Sequence, residues 1–170
     1  MSNDQETKAS ETDSVTMAQL VGAARLETVN FQEFEARRLA IRHSLEGDTI
    51  FPVVSAHHGC KAFPSKRAFD IQVTAELRGM SNDGETELLK ASCKLELHYE
   101  VTDEFKGELS DSVVEMFGRT NGVYNAWPYI REAFQSLTVR LGLPPFTLPL
   151  MRLVSGQLES SAEDAAASGE

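Results

Sequence analysis

Residues 69–101, FDIQVTAELRGMSNDGETELLKASCKLELHYEV, decide the fold. Phe69, Ile71, Val73, Ala75 and Leu77 alternate with Asp70, Gln72, Thr74, Glu76 and Arg78. Cys93, Leu95, Leu97, Tyr99 and Val101 alternate with Lys94, Glu96, His98 and Glu100. A period of two sends one set of side chains inward and the other toward water, so both runs are strands with one buried face. Between them, Gly79 to Gly84 (GMSNDG) offers glycines and an Asn-Asp pair for positive φ, the chemistry of a hairpin turn. The two strands are therefore expected to be antiparallel, a sheet type that tolerates water on one side.

Upstream, Ala24 to Gln32 reads as a first strand with a phase slip near Val29 suited to a bulge. Glu33 to Leu45 carries Phe34, Ile41 and Leu45 at helical spacing, with Gly47 as a stop, and is expected to be a helix. Phe51 to Phe63 is another expected strand, broken by Pro52 and Pro64. Downstream the period changes. Ser112 and Glu115 have capping-box spacing ahead of Val113, Val114, Met116 and Phe117. Gly118 and Gly122 weaken the helix they open, and Pro128 kinks or restarts it. Trp127, Ile130, Phe134, Leu137 and Leu141 then form one narrow stripe, the spacing of helix-on-helix packing. Gly142 is placed to cap the helix and Pro144 forbids its continuation. Strands followed by a helix indicate an α+β domain, with the helix packed beside an antiparallel sheet.

At 170 residues the chain suits one domain with a core of useful size. The net charge of −10 sits largely at the ends: residues 1–14 hold −3 and residues 155–170 hold −4, leaving −3 between. Both ends are polar and poor in apolar residues, so they are expected to be disordered tails around a domain over 15–154. An acidic chain is a poor nucleic-acid binder, because phosphate recognition needs clustered Lys and Arg. No apolar run approaches the roughly 20 residues of a membrane span, so no membrane insertion is expected. With two cysteines, Cys60 and Cys93, and no leader, the cytoplasm is the expected compartment.

No catalytic constellation is present: no phosphate-cradling Gly-rich loop, no G-x-S-x-G elbow and no H-E-x-x-H pair. The chain is thus not expected to be an enzyme or to carry a cofactor. Only His58 and Cys60 come near metal-ligand spacing, while Cys93 and His98 face opposite sides of one strand, so no metal is expected. Asp70, Glu76, Glu96 and Glu100 share the solvent face, an ordinary wet surface or a docking patch for a basic partner.

The run Pro128, Tyr129, Arg131, Glu132, Ser136, Arg140, Gly142, Pro144 and Leu148 resembles the signature of SecB, the bacterial protein-export chaperone family. Val29-Asn30-Phe31 is similar to the end of that family's first strand, and the strand-hairpin-strand order agrees. The resemblance implies a four-stranded antiparallel sheet followed by a long helix, assembled as a dimer of dimers. It also implies ATP-independent holding of unfolded clients in apolar grooves, in support of export. By position it makes Trp127, Ile130, Phe134, Leu137 and Leu141 the subunit interface. The groove candidates are Phe51, Val53, Phe63, Leu143, Phe146, Leu148 and Leu150.

Departures from the family pattern bear on partners. An acid that docks the export motor SecA lies in a Leu-Cys-Glu stretch, where this chain reads Ser92-Cys93-Lys94; Thr28 and Gln32 stand at two more such positions. A lysine there reverses the local charge and weakens docking to a basic partner. A dedicated chaperone of an antitoxin or other specific client fits that profile. A reading from another class makes residues 143–153 a lid over a small-ligand pocket.

Overall fold

A computed structural model of the chain describes residues 15–39, 51–81, 84–143 and 145–151. Residues 15–23 form helix α1. Strands β1 (Ala24–Arg38), β2 (Phe51–Phe63), β3 (Ala68–Met80) and β4 (Glu87–Val101) follow, then α2 (Asp111–Phe117), a π-turn over Gly118–Gly122, and α3 (Val123–Arg140). The strands make one sheet in the order β1-β4-β3-β2, with β1 and β2 at its edges. The chain is α+β, a four-stranded antiparallel sheet followed by a long helical run.

The central hairpin is as the alternation predicts. Val101 N donates to Arg67 O, Phe69 stacks on Tyr99, His98 meets Asp70 and Gln72 meets Glu96. Each step of two along β3 is a step of two back along β4, the register of an antiparallel pair. The inward residues Phe69, Ile71, Val73, Ala75, Leu77, Cys93, Leu95, Leu97 and Tyr99 are buried. The turn closes through Ser81 N to Thr86 O and Gly84 N to Ser81 O, with Gly84 at φ +71°.

Upstream of the hairpin, the structure differs from expectation in two places. Glu33 to Arg38 is strand, because β1 runs unbroken from Ala24 to Arg38. The helical spacing relied on Ile41 and Leu45, which lie outside the described residues; within 33–38 Phe34 alone supported a helix. Conversely, residues 15–23 are helical without having been anticipated. Leu20 and Ala23 are buried there at i, i+3, a face too short to stand out by periodicity.

The elements divide between two compact units. Unit 1 comprises 1–30, 58–73 and 96–125. Its core is an aromatic cluster: Phe69 and Tyr99 stack 4.8 Å apart, and Phe117 meets both edge-on at 5.1 Å. Offset and edge-to-face rings add about 0.5–1.5 kcal/mol per pair beyond area burial. Asn125 Nδ2 donates to Tyr99 Oη at 3.0 Å, satisfying the one polar atom of that buried ring. Arg67, in the left-handed region at φ 48°, bonds the carbonyls of Val101, Thr102 and Phe105 and so ties β3 to the end of β4.

The glycines at the π-turn are there for contact rather than flexibility. A Cβ on Gly122 would lie 2.7 Å from Ile71 Cγ2, and one on Gly118 would lie 3.1 Å from Ile71 Cδ1. Ile71 is β-branched and fully buried, so it cannot swing aside. Gly122→Ala is therefore expected to destabilise the fold by about 1–3 kcal/mol, the usual range for overpacking. Chemical denaturation measures this, and a variant as stable as the parent would show that the helix can back away from the sheet.

The helix start also differs from expectation. Ser110, not Ser112, is the N-cap: its Oγ accepts from Val113 N. Glu115 leaves the backbone and turns to β2, so the expected capping box does not form.

Unit 2 comprises 31–57, 74–95 and 126–170. Its buried residues include Leu77, Leu88, Leu89, Ala91, Leu95, Ala126, Ile130, Ala133, Phe134, Leu137 and Leu148. The helix ends as expected at Gly142, φ +73°, with Gly142 N bonded to Val139 O and Leu143 N to Thr138 O. That pair of bonds is the Schellman closure, open to glycine because it has no Cβ.

Candidate apolar surface and the Glu115 cluster

The helix stripe is the first correction to the expected site. Ile130, Phe134 and Leu137 are buried within the chain itself, Phe134 to 0% exposure, and cannot face another subunit. Trp127 and Leu141 are half-buried. The i, i+3, i+7 spacing marked a core face; the large apolar side chains that α3 leaves exposed in unit 2 are Tyr129 and Val139.

The groove candidates separate similarly. Val53 is 50% exposed and Leu150 69% exposed, while Leu143 and Phe146 are half-buried. Leu148 is 1% exposed and belongs to the core, which corrects its place among the groove residues. The segment holding it folds back: Trp127 Nε1 donates to Pro149 O at 2.8 Å, and Phe146 N donates to Thr138 Oγ1 at 3.0 Å. Arg38 Nη1 reaches Leu141 O at 3.4 Å. Phe51 lies in β2, and Phe63 is half-buried beneath Lys61 and Lys66, whose ammonium groups sit 5.3 and 5.9 Å from its ring.

Sequence reasoning missed much of the exposed apolar surface. Unit 2 leaves Phe31, Phe34, Leu39, Val53, Tyr129, Val139 and Leu150 open to solvent. Phe31 and Phe34 meet edge-to-face at 5.7 Å on edge strand β1. Their spacing of three is wrong for one face of a flat strand, so periodicity could not assign them. Single exposed apolar residues are ordinary, but among the described residues of unit 2 seven large ones are exposed, and Phe31 and Phe34 among them are in contact.

The solvent-face acids are half-buried or exposed, as the alternation requires. In unit 1, Asp70 Oδ1 lies 2.6 Å from His98 Nδ1, Glu96 Oε2 accepts from Gln72 at 3.5 Å, and Glu100 is exposed. Glu76 lies farther along β3, in unit 2.

A second polar cluster in unit 1 joins residues that the sequence does not connect. His58 Nε2 donates to Glu115 Oε1 at 2.8 Å, and Cys60 Sγ donates to Glu115 Oε2 at 3.0 Å. The Cys60 bond lowers the Glu115 pKa below the usual carboxylate value, helped by His58 and Arg119 against some desolvation. Burial pushes the Cys60 thiol up to about 12, reinforced by the bond to Glu115 and by the charges of Glu115 and Asp111. Burial likewise pushes Cys93 up to about 11. Among the described residues no group of three is already arranged around a metal. No described helix is long and apolar enough to cross a membrane.

No protein-family model matches the sequence, and no curated protein matches it. Among solved structures, the Mycobacterium tuberculosis Rv1957 SecB-like chaperone, in complex with a ChAD peptide from the Rv1956 HigA1 antitoxin, has a TM-score of 0.72. Its identity is 20%, and the match covers 82% of this chain and 99% of that one. A Streptococcus agalactiae protein of unknown function gives a TM-score of 0.39 at 12% identity, covering 74% and 96%, too low to inform the fold. With sheet, helix and neighbour in agreement, this chain has the SecB-like fold.

Proposed function

We propose that the protein is a nucleotide-independent chaperone that holds unfolded clients by covering their apolar segments. The observation that carries this reading is the surplus of exposed apolar side chains in unit 2, Val53 and Leu150 above all. Burying such groups yields about 25 cal/mol per Å² before ordering costs, without regard to client sequence. That is the energetics a holdase needs, and it calls for no cofactor and no catalysis.

Assembly as a dimer of dimers in the cytoplasm is part of the proposal. Where subunits pair through α3, the surface available to them includes Tyr129 and Val139 rather than the buried stripe. Between general export and a dedicated client, Lys94 supports the latter. It is half-buried on the solvent-facing side of β4, where the family places a SecA-docking acid. The antitoxin peptide held by the M. tuberculosis protein supports the same choice.

The test is aggregation of a denatured model client without nucleotide. Suppression near stoichiometric ratio is expected; none at several-fold molar excess would end the holdase reading. Titration with the C-terminal segment of SecA separates the two roles, since tight, salt-sensitive binding would restore the export role.

A further inference from the structure

Edge strand β2 has no buried side chain from Pro52 to Phe63. In unit 1 it is paired with β3, and its half-buried side chains there are His58, Cys60, Ala62 and Phe63. The Gly118 backbone comes close to the His58 ring, whose Cδ2 would lie 3.0 Å from a Cβ built there. On that ring, Nε2 donates to one oxygen of Glu115, and two residues along the strand Cys60 donates to the other. Both oxygens of a single carboxylate thus join β2 to α2. The charged or titratable groups acting on this cluster are His58 and Cys60 from β2, with Asp111 and Arg119 from the helical run.

An ionised carboxylate accepts from both donors at once. A protonated one carries its own O–H, which meets a donor where an acceptor is needed. We propose that Glu115 is an acid-released latch: ionised, it pins β2 to α2, and protonated, it loosens that contact while Val113, Val114 and Phe117 keep α2 seated in the core. The bonds that hold Glu115 also lower its pKa. A lowered folded value means that stabilisation is complete above the ordinary carboxylate range and is lost as pH falls through the folded value. If the protein is a holdase, the loosened β2 edge adds client surface in acid; that consequence alone rests on the proposed function.

Hydrogen exchange of the amides of residues 58–63 in the full chain, corrected for intrinsic rates, reads the latch directly. Wild type is expected to lose at least ten-fold protection there as pH falls below the carboxylate range, while β3 and β4 stay protected. Glu115→Gln should already exchange at least ten-fold faster at pH 7, with a flat pH profile. Cys60→Ala removes one stabilising bond and should move the loosening to higher pH; Cys60→Ser keeps a donor and should restore the wild-type profile. Wild-type protection of β2 in Glu115→Gln at pH 7, or an unshifted profile in Cys60→Ala should Glu115→Gln not fold, overturns the latch. Client capture measured separately at both pH values keeps the two ideas apart, because loosening without added capture counts only against the holdase.

Discussion

Replacing Val53 and Leu150 with serine together is expected to weaken client capture at least ten-fold while leaving the fold intact. Each aliphatic side chain covered by a client contributes about 1.5–3 kcal/mol, and about 1.4 kcal/mol is a factor of ten in affinity. Ordering of the client takes back part of that, so ten-fold is the conservative figure for the pair. Both residues are largely exposed in the chain, at 50% and 69%, and exposed substitutions usually change stability by no more than about 0.5 kcal/mol. Client affinity and thermal unfolding are measured on the same preparations. An unchanged affinity with an unchanged melting profile would mean that clients bind elsewhere. Loss of both would mean that these side chains belong to the fold.

The second large effect concerns Phe134, which the sequence offered as an interface residue and the structure buries completely. Phe134→Ala is expected to cost about 3–5 kcal/mol, the range for emptying a buried phenylalanine site. Against a typical total of about 5–15 kcal/mol, that is enough to leave the domain marginal. A core residue and an interface residue fail differently. The core reading predicts that unfolding by denaturant shifts to lower concentration however dilute the protein is. A variant that keeps its unfolding midpoint but loses mass in solution would reinstate the interface reading.

The same helix shows how far a pattern reaches. Trp127, Ile130, Phe134, Leu137 and Leu141 announce that one edge of α3 is apolar and must be covered. Nothing in the spacing states whether the cover is the chain's own sheet or another subunit, because both bury the same groups with the same energy per unit area. The resemblance pointed to a subunit; burial within the single chain decides for the core at Ile130, Phe134 and Leu137. Leu148 follows the same logic. Its neighbours Thr147 and Pro149 are exposed while it is sealed in, within an irregular segment for which no period exists.

Glu115 departs from its local pattern for a related reason. Three residues after Ser112 it has the spacing of a local cap, and local readings weigh neighbours in sequence. Its partners His58 and Cys60 lie 57 and 55 residues away on β2. Once folded, two donors on one strand satisfy the carboxylate better than a single frayed amide, and Ser110 takes over the cap.

What the sequence alone determined was the central hairpin, the positive-φ closure at Gly84, the end of α3 at Gly142 and the class of fold. Each of these is a local matter: strict alternation leaves a strand one way to face, and a left-handed backbone position favours glycine. Tertiary structure alone decided that β1 extends through Arg38, that Ile130, Phe134, Leu137 and Leu148 are core, and that, among the described residues, seven large apolar side chains of unit 2 stay in water. Burial is the reason, since whether a side chain meets protein or solvent depends on what the rest of the chain brings to it.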